Sequence, residues 1–229
     1  MKKGDLKRAA ILDAAEKLFF EKGYDRTSVQ DLLDALGMSK GGFYHYFDSK
    51  EAVLRAVSER RAEGRFERLS AELYAAHRGP IDRLNMLLGM ANLFENEDAR
   101  FAALMLRLCY VEGDASLRDH QRRILLERLA SYVSDVIDEG ARDGSFHTRH
   151  PGEVGRLLLL LALDVDEEAG RMLARSPGSP DVAIDMLELL NAWREAAEKL
   201  VGAPYGSIRL FDAARMVADW QAAAAMMKE

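Results

Sequence analysis

A short stretch of this sequence brings together side chains that could bind the phosphates and base edges of DNA. On a helix predicted to begin near Ser39, the outward positions carry no acid. Lysine and tyrosine can bind phosphate oxygens, and lysine can also donate to a base edge in the major groove. Two adjacent glycines weaken a helix by about 1 kcal/mol each relative to alanine, but they let its backbone lie close to DNA. The outward residues are Ser39, Lys40, Gly41, Gly42, Tyr44 and His45.

Polar residues on either side of this stretch extend the possible phosphate contacts. Thr27 and Ser28 lie at the predicted start of the preceding helix, and Lys50 lies in the first turn of the following one. Backbone N–H groups and the dipole favour a phosphate at a helix N-terminus. Each assignment has an ordinary alternative: Tyr44 could be a core aromatic, His45 a solvated residue and Lys50 a lysine on a helix surface.

Other chemistry finds little support in the sequence. His147 and His150 could share a metal ion, but they fall in a predicted loop without a nearby cysteine, and structural zinc needs four ligands. Cys109 lies in a predicted apolar helix, where a thiol is usually inert. The sequence contains no Gly-x-Ser-x-Gly, no glycine-rich phosphate loop and no His-Glu-x-x-His. We therefore expect no enzyme activity, no metal and no cofactor.

The composition excludes several classes of protein. The 229 residues include 32 Lys and Arg against 38 Asp and Glu, so the net charge of −6 excludes a chain that is basic overall. A local DNA site is still allowed, because the first 60 residues hold 11 basic and 10 acidic residues. One cysteine excludes a disulfide framework. The longest apolar run, Leu157–Leu163, is too short for a bilayer, which needs about 20 residues. We expect no signal peptide and a cytoplasmic location.

Helical periodicity dominates the chain and predicts an all-α fold. A first helix covers about residues 6–22. Thr27 and Gln30 have the spacing of a capping box and predict the start of a second helix that ends at Gly37. A short third helix and a long helix over about 48–76 follow. Later helices are predicted at about 80–96, 98–110, 117–140, 153–174 and 181–202, with a last helix opened by Pro204.

Two short helices joined by a tight turn at a glycine are the pattern of a helix-turn-helix. Gly37 suits the turn, since glycine adopts positive φ without strain. Apolar side chains on the inner faces of both helices, with Leu18 and Phe19 of the first helix, predict a small three-helix core. The inner-face residues are Val29, Leu32, Leu36, Met38, Phe43, Tyr46 and Phe47. A basic arm that can follow DNA into a groove is predicted from Lys2, Lys3, Lys7 and Arg8.

Four motifs within residues 20–51 resemble the DNA-binding domain of the TetR family of transcriptional regulators. They are Gly-Tyr-x-x-Thr-Ser at 23–28, Ser-Lys-Gly at 39–41, Tyr-His-Tyr-Phe at 44–47 and Ser-Lys-Glu at 49–51. Leu33 departs from the resemblance, since the family usually has alanine there. The resemblance implies that Tyr44 and Lys50 mostly bind phosphate, while Lys40, Gly41 and His45 lie nearest the base edges. The predicted DNA-binding residues are then Thr27, Ser28, Ser39, Lys40, Gly41, Tyr44, His45 and Lys50.

The same resemblance implies the organisation of the rest of the chain. Residues 1–50 would form the helix-turn-helix domain, and residues 51–229 a larger helical domain for effector binding and dimerisation. A homodimer would form through the helices near 153–174 and 181–202. The function implied is a repressor that an unknown small-molecule effector releases from a palindromic operator in double-stranded DNA, without a membrane partner. The alternatives are an all-α protein-interaction module, or a transcription factor regulated by a partner protein.

Overall fold

The computed structural model describes residues 3–73, 78–91, 99–176 and 179–209. Every regular element in these ranges is a helix, which confirms the predicted all-α fold. The predicted last helix is wrong at its start, because residues 204–209 are not helical, and residues 210–229 lie outside the described ranges. The helices are α1 (Lys3–Glu21), α2 (Val29–Leu36), α3 (Lys40–Tyr44), α4 (Lys50–Leu73), α5 (Pro80–Ala91), α6 (Ala99–Leu106), α7 (Ala115–Asp143), α8 (Pro151–Arg175) and α9 (Pro180–Val201).

The chain divides into two compact units, residues 1–65 and 66–229, and the division falls inside α4. In the first unit α1, α2, α3 and the beginning of α4 enclose a small apolar core. Of the predicted inner-face residues, Leu32, Phe43 and Phe47 are buried, and the others are partly buried. The remaining core side chains include Ile11, Leu12, Ala15, Phe19, Leu33, Val53, Leu54 and Val57.

Ion pairs tie α1 to α4 within the first unit. The Arg60 guanidinium donates to the carboxylates of Asp13 and Glu16, at 2.6 Å each. Arg61 donates to the second oxygen of Glu16 at 2.6 Å, and its guanidinium lies 4.9 Å from the ring centroid of Phe20. Because both carboxylates are satisfied by arginines of α4, this side of α1 is fixed to the start of that helix.

The N-terminus of α2 is capped by Ser28, one position later than predicted. Ser28 Oγ accepts the N–H of Asp31 at 3.2 Å, and the Asp31 carboxylate accepts the N–H of Ser28 at 2.7 Å. The predicted capping box is therefore wrong in its residues, because Thr27 is buried and Gln30 donates to Asp34 instead. Both N–H groups at the start of α2 are still satisfied by a reciprocal pair of the predicted kind.

The turn between α2 and α3 follows the prediction. Gly37 adopts φ of 58°, and its N–H points to the carbonyls of Asp34 and Leu33. Met38 also donates its N–H to the Leu33 carbonyl, at 3.0 Å. The Leu33 side chain, at which the sequence departs from the TetR pattern, is buried in the core of the first unit.

The predicted basic arm is helical wherever the structure describes it. Lys3, Lys7 and Arg8 all belong to α1, because that helix begins at Lys3; Lys2 lies outside the described residues. The Arg8 guanidinium lies 5.2 Å from the ring centroid of Phe47, which follows α3. Arg8 is therefore a cation fixed near the end of α3, in place of the arm that the basic cluster predicted.

The second unit has its own core, shared by α5, α7, α8 and α9. The stretch predicted as one helix from 98 to 110 is instead α6 followed by a π-helical turn, Arg107–Val111. Cys109 lies in that turn and is buried, and desolvation raises the pKa of its thiol to about 12. None of the described helices is long and apolar enough to cross a membrane. Fully buried core residues include Leu84, Leu87, Leu88, Leu129, Val133, Ile137, Leu158, Leu159, Ala169, Leu173, Ala197 and Val201.

The loop between α7 and α8 is fastened to the end of α9. His147 donates its N–H to the carbonyl of Val201 at 2.9 Å. The next residue, Gly202, ends α9 with φ of 65°. A Cβ at this position would lie 2.4 Å from the carbonyl oxygen of His147. Glycine is therefore required here both by its backbone conformation and by the neighbouring main chain.

Candidate nucleic-acid interface

The five-residue helix α3 is held by one cap and one buried side chain. Ser39 has an extended backbone before the helix, and its Oγ accepts the N–H of Gly42 at 3.2 Å. Phe43 is the buried residue of α3, and its ring packs edge-on against the ring of Tyr44, with centroids 5.5 Å apart. A helix this short is not stable alone in water. The core around Phe43 therefore decides which side chains α3 presents.

The outer face of α3 carries a cation and two aromatic rings. Lys40, Gly41 and His45 are exposed, as is Tyr44, at 43% of its surface. Lys40 Nζ lies 6.0 Å from the centroid of the Tyr44 ring. A Cβ built on Gly41 meets no atom within 4 Å, so the space above that position is open. With Ser39 at the N-cap, five of the eight predicted contacts thus lie on one short helix and its two flanking positions.

Thr27 has a structural place in the first unit. Only 1% of its surface is exposed, and its hydroxyl donates to the carbonyls of Gly23, at 2.7 Å, and Leu18, at 3.2 Å. Its N–H is donated to the carbonyl of Tyr24 at 3.2 Å. Because both donors are used inside the protein, the predicted phosphate contact by Thr27 is not available. The residue instead closes the loop between α1 and α2.

Replacing Thr27 with valine is expected to lower stability rather than to act on DNA binding. Valine keeps the shape but leaves the two carbonyls without the hydroxyl, which costs about 1–2 kcal/mol. Denaturant unfolding of the full chain measures this loss, and Thr27→Ser retains the hydroxyl as the matched control. DNA affinity of the folded Thr27→Val protein should stay near wild type. Unchanged stability together with weakened DNA binding would show instead that the hydroxyl contacts DNA.

Ser28 is exposed, and it shares the start of α2 with an ionised carboxylate. The Lys22 ammonium lies 2.5 Å from Asp31 and, with the hydroxyl and N–H of Ser28, it holds the pKa of Asp31 well below its usual range. Lys22 offsets the negative charge that Asp31 would otherwise direct at a phosphate. Ser28 is therefore exposed at a helix N-terminus whose local acid is paired, although its hydroxyl and its N–H both donate to Asp31, at 2.6 Å and 2.7 Å.

Lys50 begins α4, and Tyr24 holds its ammonium group. Nζ donates to the carbonyl of Tyr24 at 2.9 Å and lies 4.1 Å from the centroid of the Tyr24 ring. Thr27 donates to the same carbonyl, so two residues that the sequence predicted separately meet at Tyr24. Sequence reasoning missed Tyr24 as part of this site. The available signal was its place in the motif Gly-Tyr-x-x-Thr-Ser, in which it immediately follows the glycine.

These elements define a class of protein. A glycine turn joins α2 to a short α3, whose inner side is anchored by Phe43 and whose outer side is basic and aromatic. That arrangement is a helix-turn-helix, in which the second helix enters the major groove of DNA. A separate all-helical unit follows it in the chain. The protein is therefore a DNA-binding protein of the helix-turn-helix class.

Comparison with known proteins narrows the class to one family. Residues 11–57 match the family described as "Bacterial regulatory proteins, tetR family". The chain is 29% identical over 146 residues to the transcriptional repressor KstR2 of Rhodococcus jostii, covering 62% of this chain and 69% of that protein. It is 32% identical over 126 residues to the repressor ComR of Escherichia coli, covering 53% of this chain and 60% of that protein. The crystal structure of a TetR-family regulator from Pectobacterium atrosepticum, 26% identical, aligns over 89% of this chain and all of its own, with a TM-score of 0.59.

Residues 11–57 form a DNA-binding domain of the TetR family, and the comparisons support a transcriptional regulator of that family. The family match lies on α1 to α4, where the helix-turn-helix and all of the predicted contact residues are found. The structural alignment extends into the second unit and supports a TetR-like helical fold there as well.

Proposed function

We propose that this protein is a repressor that binds a palindromic operator as a homodimer and is released by a small-molecule effector. The observation that carries the proposal is the outer face of α3, an exposed basic and aromatic surface on a helix-turn-helix. Two relatives named as repressors, KstR2 and ComR, support the sign of regulation. The effector role rests on the second unit, which carries a helical core independent of the DNA-binding unit.

The proposed DNA contacts divide into two groups. Lys40, Gly41 and His45 face base edges in the major groove, where lysine can donate to guanine. Tyr44 and Lys50 bind phosphates, which fixes the orientation of α3 without reading sequence. Ser28 and Ser39 add contacts at the starts of α2 and α3. Thr27 is left out of the contact set, because it is buried, unlike Ser28, and its hydroxyl and N–H are bonded within the protein.

The proposed dimer forms through α8 and α9. Both helices carry large apolar side chains in contact with solvent in the single chain: Leu157 is 53% exposed, Ile184 56% and Leu200 36%. Burying such side chains against a second copy would stabilise the pair by the hydrophobic effect. A twofold dimer places two α3 helices in successive major grooves, about 34–36 Å apart.

The proposed mechanism of release is linkage between effector and operator. An effector that binds better to the conformation with mis-spaced α3 helices lowers operator affinity, typically by about 1–3 kcal/mol of coupling. The division between the two units falls within α4, so this helix is the proposed route of transmission.

Selection of genomic DNA fragments by the purified full chain, at low and at moderate salt, tests the proposed function. Recovery of one palindromic site that resists moderate salt is the expected result. Fragments held without preference and released by moderate salt would mean that only non-specific phosphate contacts form. That result would overturn the proposal of a repressor that binds its operator without a co-ligand.

Replacing Gly41 with alanine tests how closely the backbone of α3 approaches DNA, without disturbing the fold. The new methyl group meets no protein atom within 4 Å, so the protein should fold and gain a little helix stability. If α3 lies against DNA, the same methyl group intrudes on the closest approach, and operator affinity should fall on the order of tenfold, which is about 1.4 kcal/mol. Fluorescence anisotropy with the selected fragment measures the affinity.

The matched control for Gly41→Ala is Gly152→Ala. Gly152 is also the second residue of its helix, and its Cβ position is equally open. This change in the second unit should leave DNA affinity at the wild-type value. Equal affinities for both variants would argue against a close approach of α3 to DNA at Gly41.

A further inference from the structure

We propose that Tyr24 is a positioning residue for DNA binding, which holds the Lys50 ammonium in place while leaving its charge free for a phosphate. This inference rests on the proposed function, since it assumes that Lys50 binds DNA. It goes beyond that function by assigning a role to a buried residue that does not itself touch DNA.

The two contacts between Tyr24 and Lys50 come from different parts of Tyr24. The carbonyl oxygen accepts one N–H of the ammonium at 2.9 Å, and the ring centroid lies 4.1 Å from Nζ. The first contact directs one of the three ammonium donors, and the second places the cation on the negative face of the ring. Two donors remain on the ammonium for another acceptor.

Tyr24 is itself well fixed. It is 7% exposed, and its ring packs edge-on against the Phe19 ring, with centroids 5.1 Å apart. Its carbonyl also accepts the N–H of Thr27, which is in turn anchored to the end of α1. A lysine side chain has many rotamers, and ordering it upon binding costs affinity. Contact with a rigid group orders Lys50 before DNA arrives.

Both contacts are made by neutral groups, and this distinguishes Lys50 from those cations of the first unit that carboxylates pair. Lys22 is paired with Asp31, and Arg60 with Asp13 and Glu16. Within the described ranges, no carboxylate lies in ion-pair distance of the Lys50 ammonium. Glu51 acts on this ammonium through its charge alone, without an ion pair, so the ordered ammonium remains available to a phosphate and for the release of counterions.

The acid next in sequence is held at the other end of the same tyrosine. Glu51 Oε1 lies 3.5 Å from the Tyr24 hydroxyl. Its own N–H and the hydroxyl of Ser49 also hydrogen-bond the carboxylate, and together with the positive charge of Lys50 they lower the pKa of Glu51, so the group is ionised at neutral pH. Tyr24 thus binds an anion through its hydroxyl and a cation through its ring and carbonyl.

The test compares binding of a mixed-sequence DNA duplex, at a series of low salt concentrations, by variants of the full chain. Lys50→Met should weaken binding and reduce the salt slope by about one per protomer. Tyr24→Leu removes the ring and should weaken binding several-fold. The double variant should bind no more weakly than Lys50→Met alone, because the ring acts through the ammonium. Tyr24→Phe keeps the ring and should bind within twofold of wild type.

Ile11→Val is the control for a loss of packing, because Ile11 is fully buried in the core of the first unit and takes part in neither contact of Lys50. Its effect on binding should be the same with and without Lys50→Met. If Tyr24→Leu weakens DNA binding by the same factor with and without Lys50→Met, Tyr24 acts only through folding and the inference is overturned. Should Lys50→Met leave affinity and salt slope unchanged, the phosphate contact in the proposed function fails first, and the inference fails with it.

Discussion

Phe43→Ala is expected to unfold the DNA-binding surface and to abolish operator binding while the second unit stays folded. Phe43 is fully buried and is the buried residue of α3. Truncating a buried phenylalanine costs about 3–5 kcal/mol. The first unit is small, and small domains have little stability in reserve. A five-residue helix that loses its buried side chain keeps only the Ser39 cap, which is too little to hold it helical.

Hydrogen exchange of the full chain measures this loss locally. Amides of α2 and α3 should lose protection in Phe43→Ala, whereas those of α7 and α8 should keep it. Phe43→Leu retains most of the buried volume and should cost less than about 1.5 kcal/mol. Tyr44→Ala is the matched surface change: it should leave protection intact and still weaken DNA binding. Wild-type protection of α3 in Phe43→Ala would refute the anchoring role.

Gly202→Ala is expected to destabilise the second unit by about 2–5 kcal/mol, the second of the two large effects. Two costs combine at this position. A residue with a Cβ is strained at φ of 65°, and the Cβ would lie 2.4 Å from the His147 carbonyl oxygen. The obstacle is main chain rather than a flexible side chain, so the loop before α8 must move. Its hydrogen bond from His147 to Val201 would then be lost.

Gly144→Ala provides the control for Gly202→Ala. Gly144 also ends a helix, with φ of 86°, but a Cβ there meets no atom within 4 Å. It should therefore show the conformational strain alone, about 1–2 kcal/mol. Denaturant unfolding followed by tryptophan fluorescence reports on the second unit, because both tryptophans of the chain, Trp193 and Trp220, belong to it. Equal losses for the two variants would show that the loop yields without cost.

The helix-turn-helix could be predicted because its signals are local. Gly37, the inner position of Phe43 and the outward position of Tyr44 all follow from helical spacing and from the conformational freedom of glycine. The capping residue of α2 could not be decided in this way. Thr27 and Ser28 are both good caps, and the choice depends on the burial of Thr27 against α1, a tertiary contact.

Two other features required the folded chain. The sequence marks Lys50 as a cation at a helix start, but Tyr24 lies 26 residues away, and no periodicity links the two. Likewise, the apolar stretch that ends near Cys109 predicts a continuous α-helix, whereas the chain forms a π-helical turn there. An extra residue inserted in a helical turn changes the helical face without changing composition, so the hydrophobic pattern does not reveal it.

The length of α3 limits the number of base pairs that one protomer can contact in the major groove. Five residues rise about 7.5 Å, which equals roughly two base-pair steps of DNA. A single α3 can therefore contact about three or four base pairs. Two such half-sites in the proposed palindrome would specify about six to eight base pairs, roughly 4,000 to 65,000 combinations, against about a million or more competing positions in a genome. A DNA site of this length recurs by chance in a genome. A dimer that contacts so few base pairs would depend on the spacing of the two half-sites and on the bendability of the DNA for part of its specificity.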